Sequence, residues 1–288
     1  MSIGEMSSPG ESRRSRRRIG PFAGTLAALE ALTAAGARVA LHVETLDRAA
    51  VLAQEGDHDP MPVGGLGVVP LLVEAAVQFG AGELDPLELV AREELSGLPG
   101  IWRRLRTDRL PLGDLAALAP ADADAANALL ARVGPERVTR RFAALGMPRS
   151  ALLDRFRVHR GPDDAPHVAI GTAREFAGLF RALATGRAGH AGASAQVAEW
   201  LGLHRDLGLV GAATGVDPLS FDDRHGLLLV NRTGRAQGVR AEAGALTGPS
   251  GGAAYALIVE FDDVGVLHRD RAHEAFRVLG RELMEHTA

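Results

Sequence analysis

One stretch of this sequence has the spacing of a known catalytic motif. Gly248-Pro249-Ser250-Gly251-Gly252 reads G-x-S-x-G, which in many hydrolases holds a serine nucleophile on a sharp turn between a strand and a helix. Here the flanking segments, Val239–Leu246 and Ala253–Phe261, are both rich in apolar residues typical of strands. We therefore interpret the motif as a hairpin loop and Ser250 as a structural residue.

A second stretch, Gly65-Leu66-Gly67, matches the beginning of a dinucleotide-binding fingerprint. The third glycine of that fingerprint is replaced by Pro70, and no strand–turn–helix unit with a suitably placed acidic residue follows. The alternative is a glycine turn in front of a helix, and it is the interpretation we adopt. No cofactor is predicted.

Asp57-His58-Asp59 is the sequence's best cluster of metal-ligating side chains. The chain has ten histidines, but none lies in an H-E-x-x-H motif or a comparable pair. Two carboxylates and one imidazole on a polar loop define neither the number nor the geometry of ligands that a metal requires. We interpret them as solvated and predict no metal site.

The composition excludes several kinds of catalysis. All 32 basic residues are arginine, and the chain contains no lysine and no cysteine. Schiff-base and P-loop lysines, thiolate nucleophiles and cysteine-ligated metal sites are therefore excluded. The formal net charge of −4 gives no reason to expect a nucleic-acid partner.

The first 20 residues form a basic segment with five arginines between Arg13 and Arg18. Glu30 and Arg38 interrupt the apolar residues that follow, unlike the core of an export signal. No uninterrupted apolar run reaches the roughly 18 residues of a membrane span. We expect a solvated tail, no membrane partner and a cytoplasmic location.

Apolar periodicity assigns most of the remaining chain to helices and strands. Strands are expected near both ends of the chain, with helices between them, which predicts one antiparallel sheet and a helical insertion, an α/β (α+β) class. The expected helices are 22–36, a buried helix beginning near 70, 84–95, 112–118, 121–132, 135–144, 149–156, 172–185, 193–203 and 271–286, and the strands are 39–45, 49–53, 226–231, 239–246 and 253–261.

This order of elements resembles the serine β-lactamases and penicillin-binding proteins over about residues 22–288. The similarity is carried by short segments that match family motifs in the right order: Pro70–Ala75 with Gly82–Glu88, Asp122–Leu130, Gly134–Glu136, Leu145–Met147, Gly171–Phe176, Asn231–Gly234 and Val239–Gly244.

The resemblance implies a five-stranded antiparallel sheet flanked by helices, together with an all-helical lobe. It divides the chain into a tail at 1–20, a sheet lobe made of 21–60 and 171–288, and a helical lobe at 61–170.

The departures from the family pattern fall on its chemistry. The S-x-x-K motif aligns with Gly65–Val68, so glycine stands at the nucleophile position and Val68 at the lysine position. Neither residue can form or activate an acyl-enzyme. In the S-D-N motif only Asp122 remains, and in K-T-G Arg232 replaces the lysine beside Thr233 and Gly234.

The resemblance also implies which residues line the remaining cleft. Asp122 and Asp124 are candidates for a general acid or base. The alternative for Asp122 is a buried structural hydrogen-bonding role, and for Asp124 a helix cap. The candidate ligand-binding residues are Gly65 and Val68 on a roomy apolar floor, Trp102 as an apolar platform, and Arg232, Thr233 and Gly234 as an anion anchor.

Three functions are compatible with these residues. The first is non-covalent chemistry on a small anionic molecule, in a setting such as bacterial specialised metabolism. The second is a non-catalytic pseudoenzyme that binds such a molecule. The third is an interaction module that uses the outer face of the sheet or the basic tail. The partner expected from the first two is a small anionic ligand or substrate.

Overall fold

The computed structural model describes residues 20–92, 97–204, 206–215, 226–262 and 265–288. Within these ranges the chain forms α-helices, short 3-10 turns and strands in the following order: α1 (Ala23–Ala34), β1 (Arg38–Thr45), β2 (Val51–Glu55), β3 (Met61–Pro62), a 3-10 turn (Gly64–Gly67), α2 (Val68–Ala81), β4 (Leu89–Ala91), a 3-10 turn (Trp102–Arg104), β5 (Arg109–Pro111), α3 (Leu112–Leu118), α4 (Ala123–Val133), α5 (Pro135–Ala144), β6 (Ala151–Leu152), β7 (Ala169–Gly171), α6 (Ala173–Ala184), α7 (Ala191–Gly202), a 3-10 turn (Val210–Ala213), β8 (Leu228–Ala236), β9 (Val239–Gly248), β10 (Gly251–Glu260) and α8 (Val266–Thr287).

The main sheet has five antiparallel strands in the order β2-β1-β10-β9-β8. The central pairing joins the two ends of the chain, since Arg38 lies opposite Glu260 and Thr45 opposite Ala253. Two smaller sheets, β3-β7-β6 and β4-β5, lie outside it. The prediction of one antiparallel sheet built from both ends of the chain is confirmed.

The two faces of the main sheet are covered by different helices. Because side chains alternate across a strand, Leu257 and Val259 of β10 pack with α1 and α8, whereas Ala256 and Ile258 pack with α6. On this second side the core continues into α2, α3, α4 and α5.

Helix α2 is the most apolar helix of the core. The segment Gly64–Ala81 is long and apolar enough to cross a membrane by length and composition, but 72% of it is buried inside the protein. Such burial is typical of the central helix of a globular core. The sequence predicts this helix from Pro70 onward, and it begins two residues earlier, at Val68.

The glycine-rich segment around Ser250 is a tight hairpin, as predicted. Strand β9 ends at Gly248 and β10 begins at Gly251. The main-chain N–H of Ser250 donates to the carbonyl of Thr287, and its hydroxyl donates to the carbonyl of Ala288. Ser250 thus ties the hairpin to the end of α8, which is a structural role.

Two of the predicted helices are wrong. In the described part of 84–95, Asp85 accepts a hydrogen bond from the N–H of Leu87, and Leu89–Ala91 then pairs with β5 as a strand. Residues 93–96 lie outside the described ranges. In 149–156, residues Ala151–Leu152 pair with β7 instead. Both segments are short, so pairing with a neighbouring strand overrides their helical periodicity.

Candidate functional site

The 3-10 turn Gly64–Gly67 lies directly against strand β8. A β-carbon built on Gly234 would lie 1.9 Å from the carbonyl oxygen of Val63, and one built on Gly64 would lie 2.6 Å from the carbonyl oxygen of Arg235. These approaches exclude any larger side chain, and Gly64 also has a φ of +54°, which favours glycine. The two glycines thus allow the turn and the strand to meet main chain to main chain.

This contact brings Gly65 and Arg232 together, as the sequence predicts. A β-carbon built on Gly65 would lie 3.2 Å from Nη2 of Arg232 and 3.3 Å from the carbonyl oxygen of Thr233. The guanidinium therefore reaches back over Gly65 and occupies part of the space beside it. The expected roomy and apolar floor is a wrong prediction, because the larger side chain of Arg232 folds into that space.

The side chain of Arg232 is half-buried, and the structure gives it no ion pair with a carboxylate of the described residues. Its Nε has no hydrogen-bond partner within the described ranges of the chain. The nearby carboxylate of Asp206 accepts from the hydroxyl of Thr233 and from Nη2 of Arg235 instead. Burial lowers the pKa of Arg232 to about 10, against the opposing charge of Asp206. The group therefore remains a cation at neutral pH.

The other two predicted anion anchors, Thr233 and Gly234, are buried in contacts within the protein. The side chain of Thr233 is buried, and its hydroxyl donates to Asp206. Gly234 is buried against the main chain of Val63. The prediction that the side chains of Arg232 and Thr233 anchor one anion together is contradicted, because the two residues alternate to opposite faces of the sheet.

Two predicted ligand-binding side chains belong to the core. Val68 is 1% exposed and Trp102 is 0% exposed, and both pack in the cluster around α2. The carbonyl of Trp102 accepts from Nη1 of Arg92, whose guanidinium also lies 5.8 Å from the centre of the indole ring. A fully buried indole cannot serve as a platform for a ligand, so the prediction for both residues is wrong.

The predicted catalytic pair, Asp122 and Asp124, lies at the beginning of α4. One oxygen of Asp122 accepts from the N–H groups of Asp124 and Ala125 at 2.9 and 3.0 Å, and the other accepts from the N–H of Trp102 at 2.7 Å. Asp122 is thus the N-cap of α4, a position that the sequence alternative gave to Asp124. These contacts favour the structural role of Asp122, and a catalytic role of either residue stays a prediction.

Two residues next to Arg232 were missed by the sequence analysis. His204 follows α7, and its Nε2 lies 2.9 Å from the carbonyl oxygen of Ala117. Burial, reinforced by the charge of Arg232, lowers the pKa of His204. Burial acts to raise the pKa of Asp206, but its hydrogen bonds from Thr233 and Gly208 outweigh this, and the pKa is lowered. Neither residue lies in a recognisable motif; only the fold brings them to β8.

The loop cluster Asp57-His58-Asp59 has a structural partner. Oδ2 of Asp57 lies 2.8 Å from Nδ1 of the buried His42 and 3.0 Å from Nε of Arg174. The carboxylate therefore joins the loop after β2 to strand β1 and to helix α6.

The fold and the site together define a class of protein. A five-stranded antiparallel sheet is covered by helices on both faces, and the 3-10 turn in front of a buried helix lies against strand β8. This is the arrangement of serine β-lactamases and penicillin-binding proteins. The beta-lactamase enzyme family matches residues 22–287. The chain belongs to this family.

Solved structures agree with this assignment at the level of the fold. The chain is similar to a beta-lactamase from Sphaerobacter thermophilus, with 22% identity and a TM-score of 0.78 over 91% of this chain and 95% of that one. It is similar to a beta lactamase from Xanthomonas campestris, with 18% identity and a TM-score of 0.75 over 92% and 99%. It is also similar to the protein PBP-A, with 17% identity and a TM-score of 0.74 over 91% and 94%. No curated protein matches the sequence.

Proposed function

We propose that this protein binds a small anionic molecule without forming a covalent bond to it, at the site where Arg232 lies over Gly65. A carboxylate is the anion that a forked guanidinium binds best through two parallel hydrogen bonds. Binding without catalysis is the function that the geometry supports best. The alternative is non-covalent acid–base chemistry by Asp124, which a turnover screen would detect as consumption of the bound molecule.

The buried Nε of Arg232, which has no hydrogen-bond partner among the described residues, is the observation that carries this proposal. A buried donor without an acceptor costs roughly 1–3 kcal/mol, and more when it is charged. Asp206 is the carboxylate closest to neutralising it, but Asp206 forms its ion pair with Arg235. An incoming carboxylate would supply the missing acceptor and remove that cost.

Covalent catalysis of the kind that gives the family its name is incompatible with this chain. Gly65 offers no hydroxyl, and no lysine exists anywhere in the sequence to activate one. Arg232 remains protonated at neutral pH, because its pKa is lowered only to about 10. It is therefore suited to binding an anion and unsuited to accepting a proton.

Calorimetric titration of the full chain with benzoate, benzylpenicillin and the neutral analogue benzamide tests the proposal. We expect at least one carboxylate to bind and benzamide not to bind. Arg232→Gln should weaken carboxylate binding about tenfold or more, the effect of losing a charge-assisted hydrogen bond. Arg48→Gln, which removes the same charge from an exposed turn, is the matched control and should change nothing.

Carboxylate binding that is equally strong in Arg232→Gln would place the functional site elsewhere. Consumption of a carboxylate during the titration that disappears in Asp124→Asn would instead identify an enzyme and assign Asp124 a catalytic role.

A further inference from the structure

A cavity lies on the other side of the sheet from Gly65. It has a volume of about 260 Å³ and opens between the β8–β9 turn, the end of β10 and the first turns of α8. At roughly 30 Å³ for each water-sized group, it has room for about nine such groups. This is the size of a small organic molecule with one ring.

The cavity is lined by two arginines that form no ion pair with any carboxylate of the described residues. Arg240 of β9 donates to the carbonyl oxygens of Ala236 and Val239, and Arg269 lies on the first turn of α8. Two acidic residues of the neighbouring elements are engaged elsewhere, since Glu274 of α8 pairs with Arg277 and Arg281, and Asp206 pairs with Arg235.

The surroundings increase the positive potential of this cavity. Burial lowers the pKa of Arg240, and the charges of Arg235 and Arg269 lower it further. Burial lowers the pKa of His273, one turn along α8, and the same three arginines together with Arg277 add to that effect. Like charges held this close repel one another, so a bound anion would relieve the repulsion.

The remaining walls of the cavity are apolar and partly aromatic. Val259 and Phe261 of the β10 end form one wall, and Ala272 of α8 forms another. The ring of His268 stacks on that of Phe261 with 4.3 Å between their centres. A flat apolar group is therefore the complement of this part of the cavity.

We propose that this cavity is a binding site for a doubly charged oxyanion carried on a small flat apolar group, with aryl phosphates as the simplest members of the class. Arg240 and Arg269 bind the oxyanion, because two separate guanidiniums match a dianion better than a monoanion. Phe261, Val259 and Ala272 hold the ring.

The site is distinct from the one over Gly65. Arg240 is paired with Arg235 across β8 and β9, and with Val259 across β9 and β10, which places its side chain on the face covered by α8. Arg232, three residues from Arg235, points to the opposite face, toward the 3-10 turn. The five-stranded sheet separates the two sites.

Calorimetric titration of the full chain with phenyl phosphate, at low ionic strength, tests this inference. We expect phenyl phosphate to bind, benzoate to bind more weakly and benzyl alcohol not to bind. Arg240→Gln and Arg269→Gln should each weaken phenyl phosphate binding about tenfold. Arg271→Gln, an exposed change of equal charge on the same helix, should weaken it less than twofold.

Three results would overturn the inference. They are an absence of phenyl phosphate binding, an equal weakening by Arg271→Gln, and a loss of binding in Arg232→Gln alone. The last result would place the phosphate over Gly65, and so would support the proposed function while removing the second site. A thermal unfolding curve of each variant verifies that a loss of binding does not arise from a loss of folded protein.

Discussion

The neighbouring strands β9 and β8 each carry an ionisable side chain away from water, but only the one on β9 has its hydrogen bonds satisfied. On β9, Glu242 is fully buried and accepts three hydrogen bonds, from the hydroxyl of Tyr255 and Nδ2 of Asn231 at 2.7 Å and from the N–H of Val210 at 2.8 Å. On β8, the side chain of Arg232 is half-buried, and its buried Nε has no partner in the described ranges. The two groups lie on opposite faces, because Glu242 is paired with Thr233, the residue after Arg232.

Burial disfavours the charged forms of both side chains, but only Glu242 has hydrogen bonds that offset this effect. It raises the pKa of Glu242 to about 7, against the hydrogen bonds from Asn231 and Tyr255, and it lowers the pKa of Arg232 to about 10. A fully hydrogen-bonded buried group holds its neighbours in place and specifies the fold. A buried charge that lacks such bonds is retained at a cost in stability, which is typical of functional positions. The difference favours a structural role for Glu242 and supports the proposed anion-binding role of Arg232.

The largest expected effect is on stability, at Glu242. Glu242→Ala leaves the hydroxyl of Tyr255, the amide of Asn231 and the N–H of Val210 without their acceptor. We expect the free energy of unfolding to fall by about 3–5 kcal/mol, the range for disrupting a buried polar network. Urea denaturation followed by circular dichroism measures it, with the exposed Glu274→Ala as the control that should cost less than about 1 kcal/mol.

The pH dependence of the same measurement sharpens this prediction. Glu242 has a pKa of about 7 in the folded protein and 4.5 as its ordinary value, so the folded state binds more protons between these values. The contribution of Glu242 to the stability therefore falls as the pH rises from 4.5 to 7. Glu242→Gln has no ionisable group at this position. We expect the free energy of unfolding of the natural chain to exceed that of Glu242→Gln by less at pH 7 than at pH 4.5. Parallel curves would contradict the assignment of a raised pKa.

A smaller effect of opposite sign is expected at Arg232. Arg232→Met keeps the unbranched apolar part of the side chain and removes the uncompensated charge. We expect the free energy of unfolding to increase by about 1 kcal/mol, because replacing a buried ion by an apolar group of similar volume is neutral or stabilising. The same denaturation experiment measures it. A loss of more than about 2 kcal/mol would show that Arg232 contributes to the fold as Glu242 does, and the comparison would fail.

Much of the fold could be predicted from the sequence because its signals are local. The alternation in Val39–Thr45 and Ala253–Phe261 and the 3.6-residue period in 172–185 and 193–203 depend on which face of an element is buried. The segments that failed, 84–95 and 149–156, form strands of two or three residues. Such strands exist only because a partner strand passes beside them, and no local pattern encodes that partner.

The site could be predicted only in part, for a related reason. The contact of Gly65 with Arg232 follows from family motifs at fixed places in the fold. The burial of Trp102 and the bond from Thr233 to Asp206 depend on how remote segments pack. The resemblance implies that Arg232 stands where the family has a lysine, but no sequence pattern indicates that the side chain folds back over Gly65.

The last prediction is that no effect is seen: the protein does not react with a β-lactam. A β-carbon at position 65 would lie 3.2 Å from Nη2 of Arg232, so even Gly65→Ser would place its hydroxyl against a guanidinium that must shift to admit it. The chain has no lysine to remove the proton from that hydroxyl, and Arg232 is already protonated at neutral pH. After incubation with benzylpenicillin, mass spectrometry should therefore show the unmodified mass for both the natural chain and Gly65→Ser.

A stoichiometric adduct on the natural chain that disappears when one serine is replaced would refute this prediction, because it would reveal a nucleophile outside the site over Gly65. An adduct on Gly65→Ser alone would show that Arg232 moves aside and that a carboxylate or water can take the place of the missing lysine.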